Sequence, residues 1–390
     1  MKRIALFLSW IACGILCFSC QKSDLPASIY QPDTGAPTPV ISSVTPPNSA
    51  YAGYTQITIQ GENFSQVLEN NYVYFNNVKA TLLTASPTSL TLIPPLVAGD
   101  SFAIKIAVSG AFVMAEYKKY SLELLSEEYG GFSDVDAVVA MDCDKNENLF
   151  VLLSNEIVKV APDQSKTRVT NEGISAPVGC RVGENGSYVF YAKTKRLYKV
   201  PVEGGATVTV NSAMTKEKIE CFDFDANGNI FIAAKNGITR MKPDGTNAVI
   251  QAFTGTKLLN IRVFDGYVYA ASADSIWRSP IQDADGTLGD KELVYDWKST
   301  VGAAGGGVIT SFTFSETGSI IASSELVSAL YLIEKSSSGY SPAVPFLQEI
   351  LNLPGSSVCW GNDRYLYYNI GNRVIRIKME QKGAPYHGRG

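Results

Sequence analysis

A short β-strand motif recurs six times in the last two thirds of the chain. Each copy follows a polar turn, and a second run of β-forming residues comes about six to ten residues later. The copies begin at Leu149, Tyr188, Ile230, Tyr267, Ile320 and Tyr365, so the intervals are 39, 42, 37, 53 and 45 residues. A period near 40 residues built from short strands is typical of a β-propeller. We therefore predict an all-β fold with a six-bladed β-propeller over residues 123–390.

The clearest copy of the repeat covers residues 225–232, which read Asp-Ala-Asn-Gly-Asn-Ile-Phe-Ile. This turn and strand resemble the units of NHL and gluconolactonase-like six-bladed propellers. The resemblance implies a ligand site around the central tunnel, on the rim that carries the loops after the second strands and the crossings between blades. The candidate residues on that rim are Asn155, Lys193, Lys195, Asn236, Asp274, Glu325 and Asn372. Turn formation alone is the alternative explanation for each of them.

Residues 39–122 have the pattern of a small β-sandwich. Residues 55–60 alternate between polar and apolar side chains, and several other short runs of this kind follow at regular spacing. The pattern resembles the IPT/TIG immunoglobulin-like family, which implies a spacer or a protein- or glycan-contact module of a kind that rarely carries catalysis. The matching residues are Ile41, Val44, Pro46, Gly53, Ile57, Ile59, Gly61, Asn63, Phe64, Val73, Phe75, Asn76, Pro94 and Pro95. We also expect residues 120–125 to supply an outer strand that closes the last propeller blade.

The first 19 residues have the pattern of a signal peptide. Two basic residues precede an uncharged apolar run over residues 4–18, which is shorter than the roughly 20 residues that span a bilayer. Residues 16–20, Leu-Cys-Phe-Ser-Cys, resemble a bacterial lipobox. This resemblance implies acylation of Cys20, with Cys13 as the alternative, and attachment through several acyl chains.

Residues 20–38 are predicted to form a tether. Their prolines and small polar residues favour a semi-extended spacer. Residues 20–24 also resemble the export signal of Bacteroidetes-type surface lipoproteins, which implies a place on the outer face of the outer membrane. An ordinary hydrophilic tether is the alternative interpretation.

Charge and histidine content exclude some classes of function. Removal of the signal leaves 31 basic and 37 acidic residues, a net charge of −6, and no basic stripe is present, so nucleic-acid binding is disfavoured. The chain has one histidine, His387. A Ser-His or Cys-His catalytic pair would have to use it. Binding without catalysis is therefore favoured over enzymatic activity.

The remaining cysteines and four aspartates provide candidate metal or redox chemistry. Cys143, Cys180, Cys221 and Cys359 are widely spaced without a C-x-x-C pair, so buried free thiols are favoured over disulfides. Oxygen ligands suit Ca²⁺, and residues 223–228 partly match a calcium loop but lack its distal Glu. Turn formation is the simpler explanation, so no cofactor is expected, with calcium as the alternative. The aspartates concerned are Asp142, Asp144, Asp223 and Asp225.

Aromatic side chains supply the flat apolar surfaces on which sugar rings stack. Trp297 follows Asp296 at a predicted strand end, and we expect it to be exposed and to bind ligand. The hypothesis is a surface-anchored, non-catalytic protein that binds a glycan or another extracellular polymer, as an accessory of a nutrient-uptake system with outer-membrane transporter partners. A propeller enzyme of lactonase or lyase type and a protein-interaction scaffold at the outer membrane are the alternatives.

Overall fold

The computed structural model describes residues 35–170, 173–210, 215–326, 330–347, 351 and 353–390. The predicted signal peptide, the lipidation site Cys20 and most of the tether lie outside these residues. The chain divides into two compact units. The first ends at Leu122, and the second comprises Glu123–Gly390 together with the short segment Tyr51–Tyr54. Within the described ranges, no helix is both long and apolar enough to cross a bilayer.

The first unit contains two antiparallel sheets within the described ranges. Buried side chains alternate with exposed ones along their strands, and Ile57, Ile59, Val73 and Phe75 are fully buried. The immunoglobulin-like sandwich is thus confirmed. One sheet has the strand order Val40–Thr45, Ile57–Glu62, Ser89–Ile93 and Thr81–Ser86; the other has the order Ser49–Tyr51, Ala115–Glu123, Gly99–Val108, Asn71–Phe75 and Val78–Lys79, and Leu68–Asn70 form a 3-10 turn.

The described part of the second unit contains six four-stranded antiparallel sheets, which are the blades of a propeller. From the inner to the outer strand they are Val138–Cys143, Leu149–Leu153, Ile157–Val160 and Lys166–Arg168 (blade 1); Val178–Gly183, Tyr188–Lys193, Arg196–Pro201 and Val208–Thr209 (blade 2); Ile219–Phe224, Ile230–Ala234, Gly237–Met241 and Asn247–Ala252 (blade 3); Leu258–Phe264, Tyr267–Ser272, Ser275–Pro280 and Glu292–Asp296 (blade 4); Ile309–Phe314, Ile320–Ser324, Leu330–Ile333 and Val344–Pro345 (blade 5); and Val358–Trp360, Tyr365–Ile370, Arg373–Lys378 and Ser126–Glu128 (blade 6). Each inner strand contacts the inner strand of the next blade, and the last contacts the first. The six-bladed prediction is confirmed.

Within the described residues, the propeller also contains three smaller elements outside its six blades. A hairpin of Lys335–Ser336 and Gly339–Tyr340 follows the third strand of blade 5, Lys298–Gly302 form a π-helical turn in the crossing from blade 4 to blade 5, and His387–Arg389 form a 3-10 turn. The second strand of each blade lies between neighbouring blades, so both of its faces are covered. Leu149–Leu153 and Ile230–Ala234 are buried at every position. Continuous apolar runs are the pattern of such fully covered strands.

The outer strand of blade 6 comes from the beginning of the second unit. Ser126–Glu128 pair antiparallel with Arg373–Lys378, so that Glu127 is opposite Arg376. The expectation that residues 120–125 would supply this strand was wrong, because residues up to Glu123 continue the last strand of the sandwich.

A second contact closes the ring at the turns of blades 1 and 6. Glu147 accepts hydrogen bonds from the N–H of Asp363 at 3.0 Å and from the hydroxyl of Tyr367 at 3.2 Å. Asn362 Nδ2 donates to the carbonyl oxygen of Asp144 at 2.7 Å. The two blades are therefore joined by strand pairing at the outer edge and by hydrogen bonds at these turns.

One aspartate builds the first turn of blade 3. Asp225 Oδ1 accepts hydrogen bonds from the N–H groups of Asn227 and Asn229, both at 2.9 Å, and Oδ2 accepts from Asn229 Nδ2 at 2.8 Å. Asp144 makes the same three contacts in the equivalent turn of blade 1. Both aspartates are buried. Their carboxylates thus replace water as the partner of turn N–H groups.

We expect Asp225→Ala to lower the free energy of unfolding by about 2–4 kcal/mol, because buried turn N–H groups lose their acceptor. Urea denaturation measures this change. Asp244→Ala is the matched control, since Asp244 accepts from the N–H and hydroxyl of Thr246 in an exposed turn, and it should cost less than about 1 kcal/mol. Equal effects in the two variants would contradict the importance of the buried turn.

Candidate functional site

The propeller has two rims with different loops. The turn rim carries the tight turns after the inner strands, at residues 144–148, 184–187, 225–229, 265–266, 315–319 and 361–364. The crossing rim carries the loops between second and third strands together with the crossings from one blade to the next. Each inner strand runs towards the turn rim, because the tight turn follows it.

Lys193, Asn236 and Asn372 lie on the crossing rim as predicted, and their side chains contact crossing segments. Lys193 Nζ donates to Ser175 Oγ at 2.7 Å, and Asn372 Nδ2 donates to the carbonyl oxygen of Asp134 at 3.1 Å. Asn236 donates from its backbone N–H and from Nδ2 to the carboxylate of Glu217, at 2.8 and 2.6 Å. These contacts tie the loops after the second strands to the adjoining crossings, so the three residues hold the rim together.

The other rim candidates, Asn155, Lys195, Asp274 and Glu325, are also found on the crossing rim. Lys195 Nζ donates to the carbonyl oxygen of Lys216 at 2.8 Å, which again joins a loop to a crossing. The side chains of Asn155, Asp274 and Glu325 are exposed. The structure therefore places all seven candidates on one rim but distributes them over six blades.

Trp297 does not belong to this exposed set, and the expectation that it would be exposed was wrong. Its side chain is 0 % exposed, and Nε1 donates to the carbonyl oxygen of Gly307 at 2.8 Å. Its ring packs edge-on against Tyr331, with 5.3 Å between the centroids. The crossing from blade 4 to blade 5 folds back over the indole, so the residue is part of the core.

A layer of polar side chains occupies the centre of the propeller. Each of the six inner strands contributes one residue to this layer. In every blade that residue pairs with the second or third residue of the second strand of the same blade. We call these six residues the charged ring. In blade order, the charged ring consists of Asp142, Arg181, Asp223, Arg262, Thr313 and Cys359. All six are buried, and the four cysteines in the described ranges are free thiols.

Asp223 holds the charged ring together on one side. Its Oδ2 accepts hydrogen bonds from Arg262 Nη1 at 2.9 Å and from the N–H of Val263 at 2.8 Å, and Arg181 Nε lies 3.4 Å from Oδ1. Burial by itself would raise the pKa of Asp223, but Arg262 and Arg181 together lower it below its usual value. Asp223 is therefore ionised in the folded protein at neutral pH.

Residues 383–390 cross the turn rim. Gly383 forms a β-bridge with Ser315 in blade 5, and the N–H of Ala384 donates to Phe314. At the other end, the carbonyl oxygen of Gly388 accepts from the N–H of Gly186 in blade 2 at 3.0 Å. Blades 2 and 5 are opposite each other in a ring of six, so this segment spans the tunnel and closes it at the turn rim.

Tyr386 and Arg389 point from this segment into the charged ring. The hydroxyl of Tyr386 lies 2.8 Å from Thr313 Oγ1, and the guanidinium carbons of Arg262, Arg389 and Arg181 lie 3.3, 3.8 and 5.5 Å from its ring centroid. Arg389 Nη2 also forms a short ion pair with the carboxylate of Asp142. The segment thus places the aromatic side chain of Tyr386 beside Thr313 and the guanidinium group of Arg389 beside Cys359, the two uncharged residues of the charged ring.

A neutral layer lies one step closer to the crossing rim. It consists of Cys221, Asn260 and Ser311, which come two residues before the charged-ring positions in blades 3, 4 and 5. Asn260 Nδ2 lies 3.4 Å from Ser311 Oγ and 3.7 Å from Cys221 Sγ. Asn260 is 8 % exposed, and its Oδ1 has no hydrogen-bond partner in the described part of the chain. Amide, hydroxyl and thiol groups are therefore buried towards this end of the tunnel.

The sequence analysis missed the charged ring and the neutral layer because it aligned the second strands of the blades. The signal was polar residues at matched places inside otherwise apolar inner strands, as in Ile219–Phe224 and Leu258–Phe264. Alignment of the inner strands places Asp223 and Arg262 at the same position.

The four aspartates considered as calcium ligands form hydrogen bonds or ion pairs with protein groups instead. Asp142 and Asp223 bind arginines and backbone N–H groups, whereas Asp144 and Asp225 hold turns. Across the described ranges, no group of three or more His, Cys, Asp or Glu residues is placed to bind a metal ion. Arginine pairing and turn geometry thus account for these carboxylates.

Comparison with known proteins supports both parts of the fold. The IPT/TIG domain family matches residues 39–121. No curated protein has a significantly similar sequence. Among solved structures, the chain is similar to an auxiliary nutrient binding protein from Bacteroides thetaiotaomicron (13 % identity, 87 % of this chain and 97 % of that one, TM-score 0.56) and to another from Bacteroides ovatus (13 %, 87 % and 98 %, 0.54). It is also similar to a gluconolactonase from Xanthomonas campestris (9 %, 72 % and 90 %, 0.51). At these identities the likeness establishes the fold.

We expect Asp223→Asn to lower the free energy of unfolding at pH 7 by about 3–5 kcal/mol, because two buried guanidinium groups lose their counter-charge. The lowered pKa of Asp223 means that its stabilisation is complete above the unfolded-state pKa of about 3.9 and is lost as the pH falls through the folded-state pKa. The difference between wild type and variant should therefore shrink below about pH 4.

Urea denaturation at pH 7 and at pH 3.5 checks this prediction. Asp363→Asn is the control, because Asp363 forms an exposed ion pair with Lys382 at 3.4 Å, and its loss should cost less than about 1 kcal/mol. A difference between wild type and Asp223→Asn that persists unchanged at low pH would show that the carboxylate charge is not responsible.

Proposed function

We propose that this protein is a lipid-anchored, non-catalytic binding protein on the cell surface, which captures a neutral glycan nutrient at the crossing rim of its propeller. The immunoglobulin-like domain serves as a spacer between the lipid anchor and the propeller. The bound glycan is passed to an outer-membrane transporter. This proposal combines the sequence of the first 24 residues with the architecture of the two domains and the chemistry of the tunnel.

The segment of residues 383–390 is the observation that carries the choice of rim. It spans the tunnel from blade 5 to blade 2 and buries Tyr386 and Arg389 beneath the turn rim. A ligand that enters the tunnel from the turn rim would have to displace these side chains and break the ion pair with Asp142. The contacts of this segment are with the turn rim and the charged ring, so binding at the crossing rim leaves them intact.

The neutral layer favours a polyhydroxyl ligand over an ionic one. The carboxylates of Asp142 and Asp223 are already paired with arginines, so they are not available to bind a cation. Asn260 and Ser311 supply an amide and a hydroxyl near this end of the tunnel, and Oδ1 of Asn260 is an acceptor without a hydrogen-bond partner among the described residues. Sugars carry hydroxyl groups that donate to such an acceptor. The likeness in fold to two auxiliary nutrient binding proteins of Bacteroides supports the same assignment.

A lactonase activity is the second candidate, and the likeness in fold to a gluconolactonase favours it. Such an activity would require a bound divalent metal or a histidine-containing site. Hydrolysis of sugar lactones by the purified protein, with and without added Ca²⁺, Mg²⁺ or Zn²⁺, tests it. Turnover with any of these metals would replace the binding proposal with an enzymatic one.

We expect calorimetry of the Cys20→Ser protein against a panel of neutral and charged polysaccharides to find binding to a neutral member. Asn260→Leu should weaken that binding about tenfold, because a ligand hydroxyl group loses its acceptor in the tunnel. Asn227→Ala, in a turn on the opposite rim, is the matched control and should bind as wild type does. Folded protein that binds no neutral polysaccharide, or equal affinity in all three proteins, would contradict the proposed site.

The anchor is tested separately in cells. Wild-type protein should fractionate with the outer membrane, carry acyl chains detectable by mass spectrometry, and be degraded by protease added to intact cells. Cys20→Ser should lose the acyl chains and the membrane association, because no other long apolar segment follows the signal. Cys13→Ser is the control and should remain attached. An acylated Cys13, or protection from external protease, would contradict this assignment.

A further inference from the structure

The charged ring and residues 383–390 bury unequal numbers of opposite charges. In the described part of the tunnel there are three guanidinium groups, those of Arg181, Arg262 and Arg389, and two carboxylates, those of Asp142 and Asp223. Arginine stays protonated in proteins, so this layer has an excess of one positive charge. An uncompensated charge away from water costs several kcal/mol.

The two carboxylates have no capacity left to balance this charge. Asp142 Oδ1 accepts from Arg389 Nη2, and its Oδ2 accepts from the N–H of Val182 at 2.7 Å. Asp223 is shared between Arg262 and Arg181. As a result, Nη1 and Nε of Arg389 have no hydrogen-bond partner among the described residues, although Arg389 is almost fully buried.

The other described protein groups near this layer do not supply the missing negative charge. Asp144 and Asp225 are also buried, but their carboxylates are held by turn N–H groups and not by these arginines. Burial raises the pKa of Tyr386 despite the three guanidinium groups around it, so its phenol stays protonated at neutral pH. Cys359 Sγ lies 3.7 Å from Asp142 Oδ1 in a geometry in which the thiol donates to the carboxylate. The π face of Tyr386 attracts the arginines but carries no net charge.

We propose that the tunnel holds one small monovalent anion, chloride in physiological surroundings, which accepts a hydrogen bond from Arg389 Nη1. One negative charge matches the excess, whereas a water molecule would satisfy an N–H group without balancing the charge. The side chains of Arg262, Tyr386 and Arg389 around the site are buried, which favours a single-atom ion over sulfate or phosphate. This site is separate from the ligand site proposed at the crossing rim.

Anomalous diffraction locates such an ion directly. Crystals of the protein grown in sodium bromide, measured at the bromine absorption edge, should show an anomalous peak within hydrogen-bonding distance of Arg389 Nη1. A map with water or no density at that place overturns the proposal.

A matched pair of variants tests the role of charge. Thr313→Asp adds a carboxylate at a charged-ring position beside Arg262, whereas Thr313→Asn has a similar shape without the charge. Thermal unfolding is followed while sodium gluconate is replaced by sodium chloride at constant ionic strength. For wild type and Thr313→Asn, the ratio of folded to unfolded protein should rise up to about tenfold for each tenfold increase in chloride above the dissociation constant. Thr313→Asp should be insensitive, because it supplies the missing charge itself.

Two results of this experiment overturn the proposal. One is a wild-type protein whose stability does not depend on chloride. The other is a Thr313→Asp variant that depends on chloride as strongly as Thr313→Asn does. If Thr313→Asp does not fold, the bromide map of the wild-type protein decides the question.

Discussion

The pairing of buried charges at the centre of the propeller is the constraint on which the rest of the ring depends. Aspartate and arginine alternate through blades 1 to 4, and each carboxylate in this described layer faces a guanidinium group. A one-residue slip of an inner strand would turn its charge into the apolar space between blades. Since an unpaired buried charge costs far more than a lost apolar contact, the ion pairs favour one register for the inner strands of blades 1 to 4, in addition to any stability they contribute.

Residues 383–390 make the two rims of the propeller inequivalent. The inner strands of blades 5 and 6 place Thr313 and Cys359 where earlier blades have charges, and Tyr386 and Arg389 occupy the space that these smaller side chains leave. The ion pair between Arg389 and Asp142 therefore depends on a contact between residues 247 positions apart in the sequence. The segment that closes the turn rim also supplies the arginine that pairs with Asp142. A propeller whose turn rim was open would therefore leave the carboxylate of Asp142 without its cationic partner.

The sequence predicted the parts of this structure that local patterns determine. Second strands are covered on both faces, so their apolar runs recur visibly and reveal six blades. The charged ring was not predicted, because the pairing of Asp223 with Arg262 joins neighbouring blades and no local pattern links them. The expectation for Trp297 failed for a related reason: Asp296 and Lys298 make its surroundings polar in sequence, whereas the crossing that buries it is set by contacts with Gly307 and Tyr331.

The neutral layer gains its rigidity from the ring beneath it. Asn260 is two residues from Arg262 on one inner strand, so the ion pair of Arg262 with Asp223 fixes the backbone that presents the Asn260 amide. A polar group held in place before binding loses little conformational freedom when a ligand arrives. With the proposed anion in place, the charged ring and Arg389 together carry no net charge. Under the proposed function, selection among ligands at this rim would depend on the geometry of the hydrogen-bonding groups of Asn260 and Ser311.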